Sequence, residues 1–384
     1  MMKIFVILCL MAGAIFSSCV EKNPLLGISE ERMELVKYIP AEYDSFWNKD
    51  LIDEIEIIPI ESDSVLFGPS RGFTFIGDNY FFIDLLSTSN IIRCDTSGRI
   101  LNSIGIRGRG PNEYLEINDY FLTEDEIIIY SAINSSQYTY NKDGTLLNKS
   151  TLGFNFHKIH PIENGYWVYM GQGRENNSYP RLLLYDEQGN IEKSMLNFAS
   201  CVPFVEDTPV FTQFNDNIYF RETFNNDIYK VTEEGLEVAF RFDFGKYNIP
   251  SKFYETKDMM QAGGLLMEND FAVIHRFFES EKYFFIDVFV QKQDDRSVVI
   301  YGLKNKIDGS WKWVEHDSED DKDIFFDSIM FMDGRSNLYA IIEPFKLLRG
   351  NYKPGMFKNP NIINSIHEND NKYICGRSKF SIFF

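Results

Sequence analysis

Histidine, cysteine and positive charge are all scarce in this sequence. The 384 residues hold five histidines, and they are scattered. The one close pair, His157 and His160, would fall on opposite faces of a strand, so joint chelation is not expected and no metal site is assigned. Lys and Arg total 38 against 57 Asp and Glu, a net charge of −19. A surface of that sign repels phosphate backbones, which excludes nucleic acid as a partner. Of five cysteines, Cys9 and Cys19 lie at the amino end, leaving Cys94, Cys201 and Cys375, an odd set without metal-ligand spacing. They are read as separate core residues, with one disulfide as the alternative. No Gly-x-Ser-x-Gly elbow and no His-Glu-x-x-His helix occurs, and no cofactor is implied. No apolar run is long enough for a membrane-spanning helix.

Aromatic residues are abundant, at 16% with 35 Phe and 21 Tyr, which favours strands. At the amino end, Lys3 is followed by an apolar run from Ile4 to Phe16, broken only by Gly13. That run suits a signal-peptide core. It leads into Phe16-Ser17-Ser18-Cys19, which resembles a bacterial lipoprotein box with Phe in place of the usual Leu. Residues 1–18 are therefore expected to be removed, and Cys19 to carry lipid. Residues 19–50 read as a tether, in which Glu30–Glu34 is expected to be a short helix or mobile, with order starting near Leu51.

The rest of the chain repeats. Ile92–Gly98, Tyr138–Gly144, Leu183–Gly189 and Tyr229–Gly235 align without gaps, their glycines 45 or 46 residues apart. Apolar residues stand six and four positions before each glycine, the alternation of a strand with one buried face. A polar pair and glycine then make a hairpin turn. Upstream of each lies a polar turn and an aromatic strand: Gly77–Ile83, Glu124–Tyr130, Glu163–Tyr169 and Asn215–Phe220. Weaker copies begin at Ser280 and Met332, the fifth with Asp294-Asp295 at its turn. Four strands per 40–50 residues is the signature of a propeller blade. The six copies predict an all-β fold over 51–384, a six-bladed β-propeller with four antiparallel strands per blade. Leu51–Ile60 is expected to pair with Tyr373–Phe384 and close the ring.

Between the first two units lies Gly105-Ile-Arg-Gly-Arg-Gly-Pro-Asn-Glu-Tyr114. Glycines and arginines invite an anion-loop reading, but no Lys-Ser/Thr follows and Pro111 lacks an N–H. The default is a connection between blades, with Arg107, Arg109, Glu113 or Tyr114 as alternative ligand contacts. The segment, with the lipoprotein box and lone early strand, resembles the six-bladed β-propeller lipoproteins of Bacteroidota. In that family the segment is usually Gly-x-Gly-Pro-Gly-Glu-Tyr; here Asn112 replaces a glycine. Glu368–Asn371 before the last strand is also similar, although Lys372 stands for the usual Pro and Gly376–Lys379 departs from the common ending. The resemblance implies a cell-envelope location, with the outer membrane the expected site, and a ring similar to NHL or TolB-like propellers. It implies no settled activity.

A propeller gathers polar residues at the mouth of its central channel. By that topology, the residues starting inner strands are the candidate ligand contacts: Arg71, Asn118, His157, Arg276 and Asp327, together with Arg109 and Glu113. The acidic run Asp317–Asp323 lacks the glycine and final Glu of an EF-hand and reads as a solvated loop. Trp311 and Trp313 share a face, read as packing between blades, with a sugar platform as the alternative. The expected function is non-catalytic binding of a glycan, peptide or partner protein. The expected state is a monomer or a member of an envelope complex. The alternative is a hydrolase or lyase at the channel mouth.

Overall fold

A computed structural model of the chain describes residues 28–39, 54–60, 70–84, 89–171, 180–197, 209–256, 258–293, 297–317, 329–342, 347–348, 357–366 and 374–379. The amino end contributes β1 (Ile28–Ser29), β2 (Glu34–Lys37) and β3 (Glu54–Pro59). Sheet I follows as β4 (Ser70–Ile76), β5 (Asn79–Asp84), β6 (Ile91–Asp95) and β7 (Ile100–Ile104). Sheet II holds β8 (Asp119–Leu122), β9 (Glu126–Ser131), β10 (Ser136–Asn141) and β11 (Leu146–Thr151). Sheet III holds β12 (Lys158–Ile162), β13 (Gly165–Tyr169), β14 (Pro180–Asp186) and β15 (Ile191–Asn197). Sheet IV is built on β16 (Phe211–Phe214), β17 (Asn217–Arg221), β18 (Asp227–Val231) and β19 (Leu236–Asp243). After two short helices, α1 (Ser251–Glu255) and α2 (Met259–Met267), sheet V runs β20 (Phe271–Glu279), β21 (Tyr283–Gln291), β22 (Val298–Asn305) and β23 (Trp311–Asp317). Sheet VI combines β24 (Phe331–Met332), β25 (Asn337–Ile342) and β26 (Ile374–Lys379) with β3.

The repeated turn explains the repeated sheet. In the first three units the residue three before the glycine supplies a side-chain oxygen to backbone N–H groups of the turn. Asp95 accepts from Ser97 and Arg99, Asn141 from Asp143 and Thr145, and Asp186 from Asn190. The glycines that follow, Gly98, Gly144 and Gly189, hold φ of 88°, 84° and 82°, a region that costs other residues energy. The extra turn residue produces the same register shift in each hairpin, before Cys94, Tyr140 and Tyr185. In the fourth unit Thr232 takes the capping role for Gly235.

Propeller architecture with four-stranded antiparallel blades is what the repeats predicted, but five such blades stand where six were expected. Five sheets are plain four-stranded blades; sheet IV is six-stranded, because β1 and β2 add to it in parallel along β19. The Glu30–Glu34 stretch is thus no helix, and part of the presumed tether is built into the fold. Its strand covers the outer edge of β19, a row of groups that would otherwise stand unpaired. Glu34 anchors it, accepting from Trp311 Nε1 at 3.1 Å and pairing with Lys304. Closure follows the expected pairing: β26 is antiparallel to β3, with Cys375 opposite Ile58.

Apolar faces are buried between consecutive sheets. Sheets I and II share Phe81, Ile104, Tyr114 and Ile129, and sheets III and IV share Trp167, Leu182, Phe220 and Val238. Sheets V and VI share Phe285, Tyr301 and Leu338, and sheet VI packs back on sheet I through Ile58, Phe73 and Tyr339. Trp311 and Trp313 stack at 5.3 Å and meet Phe242 of sheet IV edge-on, so the pair packs between sheets. Cys94 is a free, buried core thiol, pushed up to about 12 by burial; Cys201 lies outside the described residues. The helices were not expected. Their signal was present in Asp258-Met-Met-Gln261, where the Asp258 carboxylate caps α2 by accepting from Gln261 N at 2.9 Å. Phe253, Ala262 and Leu266 then bury one face against Phe224 and Val273.

Candidate functional site

The innermost strands of all six sheets, β4, β8, β12, β16, β20 and β24, line a central cavity of about 420 Å³. Its wall is aromatic, with Phe73, Phe75, Phe121, Phe211 and Phe331 among the lining residues. Polar groups enter from the strand ends, and most are held by neighbouring backbone.

Three of these groups join adjacent sheets where β4, β8 and β12 begin. Gly72, at φ 59°, is the extra residue of a bulge between Arg71 and Phe73. A Cβ there would stand 2.9 Å from the Tyr120 ring, so only glycine lets sheets I and II approach this closely. The bulge delivers the Arg71 guanidinium to the Ile117 carbonyl. Lys158, the first residue of β12, donates to the Asn118 carbonyl at 2.8 Å. In return, Asp119 accepts from Ile159 N and Tyr120 N, both at 3.0 Å. Burial raises the pKa of the Asp119 carboxyl, against the opposing pull of Lys158, the two N–H groups and Arg71. Tyr120 is likewise pushed up to about 12 by burial, its hydroxyl 3.1 Å from Thr74 Oγ1.

Further along β12, His160 lies between Phe121 and Phe211, ring centroids 5.4 and 5.6 Å away. It is 5% exposed, and its Nε2 makes no hydrogen bond. Burial pushes the imidazole down to about 4, the Gln213 side chain opposing, so the ring is neutral at pH 7. At the far end, where β20 finishes, Glu279 is held by Lys306 Nζ at 2.7 Å and Asn217 Nδ2 at 3.0 Å. A second buried ion pair, Arg181 with Glu222, bridges sheets III and IV, the NH2–Oε2 bond being 2.7 Å. Tyr169 adds a hydrogen bond to the same carboxylate.

Of the residues expected at the mouth, Arg71 and Asn118 line this cavity. The Asn118 side chain is engaged locally, its Oδ1 accepting from Ala132 N at 2.6 Å and its Nδ2 donating to Glu116. His157 does not line it: it precedes β12 and packs against Tyr169 and Gly171. Arg276 is turned to its own hairpin partner Asp287, at 2.7 Å, because a register shift precedes it on β20. Arg109 is exposed on the Gly105–Tyr114 loop. Glu113 closes that loop on itself, accepting from Gly110 N at 2.6 Å. Asp327, the acidic residues after Asp317, Glu368–Asn371 and Cys19 lie outside the described residues. The residues missed from sequence are Asp119, Lys158 and Glu279; His160 was weighed only as the partner of His157 in a metal pair. Each stands among apolar residues of an innermost strand, Lys158 and His160 both on β12, and only the strand alternation hinted at which face each takes.

The loop itself is a joint. Tyr114 is fully buried between sheets I and II, its hydroxyl 2.7 Å from Asn90 Oδ1. Gly105 is needed beneath it, since a Cβ would stand 2.6 Å from the ring. Arg107 braces the joint by donating to the Leu115 carbonyl and to Ser89 Oγ.

Comparison with solved structures agrees with the architecture. A putative exported protein from Bacteroides fragilis is 17% identical, with a TM-score of 0.72 over 91% of this chain and 99% of that one. A member of the DUF4221 family from Bacteroides vulgatus is 10% identical, with a TM-score of 0.52 over 86% and 98%. At such identities the likeness concerns the fold. No curated protein matches the sequence. The domain of unknown function DUF4934 matches residues 41–375. The chain therefore belongs to the DUF4934 family.

Proposed function

We propose that this protein is a lipid-anchored binding protein of the cell envelope, a closed propeller in which sheet IV serves as the sixth blade, and that its central cavity receives a small ligand. The carrying observation is the cavity itself: about 420 Å³, aromatic-walled, with polar groups converging from sheets I to V. That combination fits a sugar of one or two rings or the end of a peptide. A non-catalytic role is favoured over the hydrolase or lyase alternative by how the carboxylates are used. Asp119 starts β8 and accepts two backbone N–H groups, whereas Glu279 ends β20 and is paired to Lys306. Neither stands beside the other as the acid and base of a bond-cleaving pair.

Glycan and peptide arrays, followed by product analysis of each hit, test the reading. Retention of an intact ligand is expected. Release of a cleaved product would replace it with the enzymatic alternative. The envelope location rests on Ser17-Ser18-Cys19 and agrees with the exported B. fragilis protein of similar fold. Cys19→Ala should leave an unprocessed precursor without fatty-acid label; persistent labelling would show that the anchor is elsewhere.

A further inference from the structure

We infer that His160 is the hydrogen-bonding contact of a neutral sugar held in the channel, with the sugar ring lying against Phe121 and Phe211. This rests on the channel being a ligand site, and narrows that reading to one class of ligand and one polar contact.

An unbonded nitrogen carries it. His160 lines the cavity and is 5% exposed, and its Nε2 meets no hydrogen-bond partner among the described residues. The Gln213 side chain interacts with the imidazole, but its amide nitrogen is given to the Asn215 carbonyl at 3.0 Å, and Nε2 stays unbonded. Buried polar atoms are nearly always paired, because an orphaned one forfeits its bonds to water with no return. The flanking residues are Phe121 of β8 and Phe211 of β16, ring centroids 5.4 and 5.6 Å away. A phenylalanine would fill the same place at no such cost. Histidine here is a loss for the fold. On a cavity wall, such a loss points to a bond made with something that enters the cavity.

The chemistry of this stretch of wall selects the ligand. An uncharged imidazole has one N–H and one lone pair, and the tautomer decides which of them Nε2 presents. A hydroxyl answers either, since it both donates and accepts. A charged group set against Phe121 and Phe211 would lose its hydration without return. The end of a peptide brings such a charge; a neutral sugar does not. Both phenylalanines are only partly buried, which leaves ring surface for the C–H face of a sugar while a hydroxyl on its rim reaches His160.

The test is binding to the full processed chain of methyl glucoside, methyl galactoside, methyl mannoside and N-acetylglucosamine, with N-acetylphenylalaninamide as a peptide probe. Calorimetry reads affinity, and NMR of isotope-labelled histidine reads the imidazole nitrogens. At least one sugar should bind and shift the Nε2 signal of His160, identified as the one missing from His160→Phe or, should that variant not fold, from His160→Gln. His160→Phe should unfold no earlier than wild type and bind the same sugar at least tenfold more weakly, a pairing that a purely structural histidine would not give. A sugar that leaves the Nε2 signal unmoved and binds the variant equally well would overturn the role of His160 and leave the channel as a sugar site. Binding of the peptide probe alone would overturn the sugar while leaving the channel as a ligand site. No binding by any probe would overturn both.

Discussion

The Gly105–Tyr114 loop and the Arg71–Asp119–Lys158 cluster invite comparison, because each holds charged residues near the junction of sheets I and II. In sequence the loop is conspicuous and the cluster invisible. In the structure their roles are exchanged. The loop's bonding serves the joint: Glu113 accepts from Gly110 N, Arg107 donates to Leu115 and Ser89, and Tyr114 fills the space between the sheets. The cluster faces the cavity, and its bonds run from one sheet to the next: Lys158 to the Asn118 carbonyl, and Ile159 N to Asp119. Density of unusual residues marks a difficult turn; chemistry in a propeller comes from single residues on strands far apart in the chain.

If that contrast holds, loop variants should change stability and leave binding alone. The largest effect is expected at Tyr114. Tyr114→Ala removes a fully buried ring from the joint and should cost about 3–5 kcal/mol, read as a fall in the denaturation midpoint. Tyr114→Phe keeps the packing and loses the bond to Asn90, a cost of about 1 kcal/mol. Equal effects of the two variants would mean that the hydroxyl, rather than the ring, holds the joint.

His160 should reveal the channel's burial through pH. Its folded pKa, about 4, lies below the unfolded value near 6.5, so the unfolded chain binds the proton first as pH falls. Stability is therefore fully present above about 6.5 and lost on the way down to about 4, by on the order of 3 kcal/mol. His160→Phe, which suits a site between two phenylalanines, should flatten that part of the profile. Parallel profiles for the two proteins would show that burial does not hold the imidazole in its neutral form.

How far the sequence could be read depends on whether a feature is periodic. The hairpins were legible because Asp95, Asn141 and Asp186 each precede their glycine by three residues, and the physics of the turn forces that spacing. Closure by β3 and β26 was legible because two strands were left over at the chain ends. The six-stranded sheet was not, because β1 and β2 are too short and polar to alternate, and are held by Glu34 reaching Lys304 and Trp311, 270 and 277 residues away. The cavity wall was half legible: strand starts pointed to Arg71 and Asn118. The same rule misplaced Arg276, since no sequence pattern announced the register shift that precedes it on β20.

Glu113 tests the loop at a smaller scale. Glu113→Ala removes the acceptor for Gly110 N and should cost about 1–2 kcal/mol, with Glu113→Gln recovering part of it. Binding of any channel ligand should be unaffected. A drop in affinity without a drop in stability would return the loop to the list of ligand contacts.

The smallest expected effect separates the two arginines of the loop. Arg107 donates through Nε to Leu115 and through NH1 to Ser89, so Arg107→Ala should cost roughly 1 kcal/mol. Arg109 is exposed, and Arg109→Ala should fall within about 0.5 kcal/mol of wild type. The difference matters because the two residues are the same chemical group two positions apart. If burial and bonding decide a residue's role, only the first should register in unfolding. Should Arg109→Ala leave stability untouched yet weaken ligand binding, then the loop reaches toward a bound ligand from the rim. Joint and contact would then be shared between neighbouring arginines rather than divided between loop and channel.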